Sequence, residues 1–150
     1  MKKRILTSIA VLLCLLSLAG CKTIVPGENF DVGHDISKAQ RIVVADAAGK
    51  EKAVLTGKAD IDAFVEAMEV EDWHIAELPQ GLTEAGRFTL WQQETVTALI
   101  GESEAKENEI CTFRCYQEGD YLTIDTGVMD ISFTFAIPQG AADYLRTLVQ

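Results

Sequence analysis

Two cysteines, Cys111 and Cys115, lie in the segment EICTFRCYQEGD and are the first residues whose types and spacing could do chemistry. On a β-strand, Cys111, Phe113 and Cys115 point to one face. At about 3.3 Å per residue the two cysteine Cα atoms lie about 13 Å apart, beyond the ~7 Å limit for a disulfide. A Cys-x-x-x-Cys pair with no second pair and no nearby His is a weak metal motif. The spacing therefore predicts two free, buried thiols, with metal or redox chemistry as the alternative.

The chain contains two histidines, and each stands beside acidic residues. His34 lies in DVGHD, and His74 follows Glu71 and Asp72. A His in such a setting can act as a general base, because its unperturbed pKa of about 6.5 is close to neutrality. No nucleophile and no further ligand set accompanies either residue in the sequence. We therefore expect a solvated loop at His34, a packing or surface role at His74, and no catalytic residue, metal or cofactor.

Residues 101–109, GESEAKENE, form an acidic segment that could hold calcium through carboxylates. An EF-hand loop places Asp or Asn at fixed positions and needs a Gly for its sharp turn. This segment has neither feature, so we predict a solvated hairpin loop.

The N-terminus has the three parts of a secretory signal peptide: the basic start MKKR, the apolar run Ile5–Leu16 and the small-residue exit SLAG. The ending LAGC resembles the lipobox of bacterial lipoproteins. That resemblance implies cleavage between Gly20 and Cys21 and a diacylglyceryl group on the Cys21 sulfur. Two acyl chains hold a protein stably on a bilayer. We therefore expect a lipid-anchored protein on the extracytoplasmic face of the bacterial cell membrane, with an ordinary secreted protein as the alternative.

The length and charge of the chain bound its organisation. We predict a signal peptide over residues 1–20, a lipidated N-terminus and tether over 21–38, and a single domain over 39–150, which is a usual domain size. The net charge is −10, and loss of the basic signal peptide makes the remainder more acidic. Nucleic acid and bare anionic lipid need clustered Lys or Arg, so neither is an expected partner.

The pattern of apolar residues predicts an α+β fold. RIVVAD and KAVLTG form a first hairpin around Gly49, and KADIDAFVEAMEVEDW changes to a helical period. The strands RFTLWQQ, TVTALIG, EICTFRCYQ, YLTIDTG and ISFTFAI follow, and Pro138 opens a closing helix. The predicted order is β-β-α-β-β-β-β-β-α. We expect a mostly antiparallel sheet with both helices packed on one face.

The body also resembles a group of small cell-surface lipoproteins of Gram-positive bacteria whose function is unknown. The resemblance rests on DIDAFVEAM, on the W…LP break and on the ending FTFAIPQGAADYL, and it spans most of residues 40–149. It is a similarity of pattern and implies no activity.

The anchor, the tether and the shortage of catalytic groups favour a non-enzymatic interaction module that contacts another cell-envelope protein. The candidate contact residues are Trp73, Trp91 and Tyr116. The alternatives are a solute-binding lipoprotein and a small envelope hydrolase or metal-dependent enzyme. The enzyme would use His74 with a neighbouring acid, or the carboxylates of residues 102–109.

Overall fold

A computed structural model describes residues 32–93, 106–127 and 131–150. The predicted lipid-attachment residue Cys21 and the whole of the predicted strand TVTALIG, residues 95–101, lie outside these residues. The described part contains three α-helices and seven strands. In chain order they are α1 (Val32–Ser37), β1 (Arg41–Asp46), β2 (Glu51–Leu55), α2 (Lys58–Met68), β3 (His74–Ile75), β4 (Glu84–Gln93), β5 (Glu107–Tyr116), β6 (Tyr121–Asp125), β7 (Ser132–Ala136) and α3 (Gln139–Val149).

The strands form one antiparallel sheet in the order β2-β1-β4-β5-β6-β7-β3. Its first hairpin turns at Asp46, whose carboxylate accepts hydrogen bonds from the backbone N–H groups of Ala48 and Lys50. Gly49 completes the turn with a φ of 81°, which a residue with a side chain rarely adopts. The predicted α+β class, with a helix after this hairpin and a second helix at the C-terminus, is confirmed.

The core lies between one face of the sheet and the helices. The Phe64 ring of α2 stands 5.7 Å from that of Phe88 on β4 and 6.1 Å from that of Tyr144 on α3. Ile61, Phe64 and Met68 are buried, as the helical spacing of apolar residues predicts. Burial of these side chains orders a helix that is too short to be stable alone.

The end of α2 is set by backbone geometry. Glu69 adopts the left-handed conformation with φ 47° and its N–H donates to the Glu66 carbonyl. A short 3₁₀ turn, Val70–Asp72, then leads to Trp73. The start of α2 lacks a side-chain cap, and Asp60 instead places its negative charge in the first turn.

Three local expectations are wrong. His34 lies in α1 rather than in a loop, because burial of Ile36 orders this segment against the domain. The break after α2 contains a short edge strand, in which His74 pairs with Ala136. The acidic segment 101–109 is not all loop, since β5 already begins at Glu107. In each case tertiary pairing or burial overrides a weak local pattern.

Both cysteines are free and buried, as the strand spacing predicts. Burial raises the pKa of Cys111 to about 12 and that of Cys115 to about 11. The thiolate is the reactive form of cysteine, so both groups are inert at neutral pH.

Candidate functional site

The sheet face opposite the helices carries a regular array of polar side chains, which we call the arginine face. Strand alternation directs these residues away from Phe64 and the core, and the register places them side by side across β1, β4, β5, β6 and β7. Its members are Arg41, Arg87, Thr89, Trp91, Glu107, Glu109, Thr112, Arg114, Tyr116, Thr123, Asp125 and Thr134.

Two arginines occupy the middle of this face. Arg87 on β4 and Arg114 on β5 are direct partners in the sheet register. Like charges placed opposite each other destabilise a sheet unless they are compensated. Glu84 and Asp125 provide the compensation, because each carboxylate pairs with one guanidinium.

Both ion pairs use two oxygens of the carboxylate. Arg114 Nε and Nη2 donate to Asp125 at 2.7 and 2.8 Å. Arg87 Nε and Nη2 donate to Glu84 at 2.5 and 3.4 Å. These hydrogen bonds raise the pKa of both arginines. Paired forks of this kind fix the plane of each guanidinium, so the two groups are held in place.

A hollow of about 250 Å³ lies between these pairs, lined by Arg87, Thr112, Arg114 and Asp125. The Thr112 hydroxyl donates to Glu109 at 2.9 Å and lies 3.2 Å from the Thr89 hydroxyl. The floor of the hollow is therefore held by hydrogen bonds as well as by ion pairs.

A chain of hydroxyl groups continues across the next strands. The Tyr116 hydroxyl lies 2.8 Å from that of Thr123, which lies 3.0 Å from that of Thr134. Thr123 is only 3% exposed and Tyr116 only 4%. This network holds β5, β6 and β7 together and gives the arginine face a fixed shape at this end.

The opposite end of the face holds Arg41 and Trp91, which are direct partners on β1 and β4. The Arg41 guanidinium lies over the Trp91 ring, 5.2 Å from its centre, and pairs with Glu107. Among the described residues, Arg41 Nε and Trp91 Nε1 are shielded from solvent and have no hydrogen-bond acceptor. Buried donors without an acceptor are uncommon and cost about 1–3 kcal/mol each, so an acceptor from outside the described residues would be favoured here.

The three candidate contact residues occupy different places. Trp73 lies on the helix side, where its ring contacts Phe113 and Phe135 and its Nε1 donates to the Met68 carbonyl at 2.7 Å. Trp91 and Tyr116 lie at opposite ends of the arginine face. The structure therefore does not bring these three side chains into one patch.

Sequence reasoning missed Arg87 and Arg114. Each occupies a polar position in an alternating strand, RFTL and TFRC, so the pattern places it opposite the core. The pattern gives no strand order or register, and only the register brings the two arginines together.

A second hollow, of about 450 Å³, lies where α1 and α2 approach the start of β1. Lys38 and Lys58 line it, but both are already in ion pairs. Lys38, which follows α1, pairs with Asp35, and Lys58 pairs with Asp62 within α2. The lysines of this hollow are therefore paired with carboxylates, as are the three arginines of the arginine face.

The described residues contain no group of three or more His, Cys, Asp or Glu placed to hold a metal ion. Within the same residues, no helix has the length and apolar character needed to cross a bilayer. No family model, curated protein or solved structure matches this chain.

Proposed function

We propose that this protein is an extracytoplasmic lipoprotein, anchored through lipid on Cys21, that acts as a binding module for another cell-envelope protein. The anchor rests on the LAGC ending and the signal-like segment before it. The partner contacts the arginine face.

The observation that supports this role best is the pairing of Arg87 and Arg114 at the centre of a sheet face opposite the helices. Fixed guanidinium groups are favourable at interfaces, because they lose little conformational freedom on binding and offer several donors.

The lipid anchor has a direct functional consequence for such a module. Confinement to the membrane surface raises the effective concentration of the module near an envelope partner, so a modest interface is enough. The acidic remainder of the chain disfavours nonspecific adhesion to anionic surfaces.

Crosslinking and pull-down from intact cells tests the proposal, with Cys21→Ala as the unanchored control. We expect one envelope protein to be recovered with the wild-type protein and to be lost or strongly reduced with Cys21→Ala. Mass spectrometry of the membrane-derived protein should show lipid on the Cys21 peptide. An unmodified Met1 terminus, or equal recovery with both forms, contradicts the anchored-module proposal.

A further inference from the structure

We draw no further inference here: the strongest candidate, the outer edge of the sheet at β3, where the Ile75 side chain is 80% exposed, carries nothing, because no feature in the described part of the chain shows what covers it.

Discussion

Replacement of Gly86 by alanine tests whether α3 packs on the sheet as closely as the structure shows. Gly86 lies on β4 beneath α3. An added Cβ atom would lie 2.5 Å from the Ala45 carbonyl oxygen and 2.5 Å from Val149 Cγ1. Distances this short require movement of either the β1 backbone or the helix, because the Ala45 oxygen belongs to the backbone and Val149 Cβ, which side-chain rotation does not move, would lie only 2.8 Å from the added atom. The φ of Gly86 is not in the left-handed region, so the strain comes from these contacts alone.

The magnitude follows from two opposing effects. Alanine reduces the freedom of the unfolded chain, which stabilises by about 0.4–1 kcal/mol. Overpacking of a well-packed core costs about 1–3 kcal/mol, and two contacts of this kind place the cost near the upper end of that range. We therefore expect Gly86→Ala to lower the free energy of unfolding by about 2 kcal/mol.

Urea unfolding followed by tryptophan fluorescence measures this loss. Gly140→Ala is the matched control, because its added Cβ has no heavy atom within 4 Å and should stabilise α3 by about 0.5–1 kcal/mol. Val149→Ala in the Gly86→Ala background removes the Cγ1 contact, so the double variant should lose less than the sum of the single losses. A Gly86→Ala protein as stable as the wild type would refute the close packing of α3.

Three further predictions concern stability. The raised pKa values of Cys111 and Cys115 mean that, as pH rises, the thiols lose their protons in the unfolded state before they do so in the folded state. Their contribution to the free energy of unfolding is therefore full below pH 9 and falls as pH rises toward 11–12. Between pH 8 and 10 the loss should be about 1.4 kcal/mol per thiol, so the free energy of unfolding should decline more steeply in the wild type than in a Cys111→Ala/Cys115→Ala variant. Arg146 on α3 donates a hydrogen bond of 2.9 Å to the Gly119 carbonyl. Arg146→Met should therefore lower the free energy of unfolding in urea by about 1–3 kcal/mol. An unchanged unfolding midpoint would show that this contact does not hold the β5–β6 turn. Glu69 has a φ of 47°, so Glu69→Gly should raise the melting temperature through relief of about 1 kcal/mol of strain, whereas a lower melting temperature would contradict that strain.

Much of the fold follows from the sequence because long segments have a clear period. The α2 sequence repeats apolar residues at helical spacing, and Phe64 and Met68 are buried as that spacing requires. The short strand at His74 could not be predicted, because two residues carry no period and their pairing depends on β7. The helix around His34 was missed for a related reason, since one buried Ile36 orders a segment with no repeating pattern.

The candidate site was less accessible than the fold. Aromatic residues suggested Trp73 as a contact, but its ring packs against Phe113 and Phe135. The central arginines are separated by 26 residues with no local motif, and they meet only because β4 and β5 pair in one register. A one-residue shift in that register would separate Arg87 from Arg114.

Site-specific photocrosslinking in intact cells shows whether a partner binds on the arginine face. A photoreactive residue replaces Ser132, which is exposed beside Asp125 on the arginine-face side, and in the control it replaces Glu66, which is exposed on α2. We expect one envelope protein to be crosslinked from position 132, to be absent from position 66 and to be lost when Cys21→Ala removes the anchor. Crosslinks of equal yield from both positions, or none from position 132 in the anchored protein, would contradict a partner bound on the arginine face.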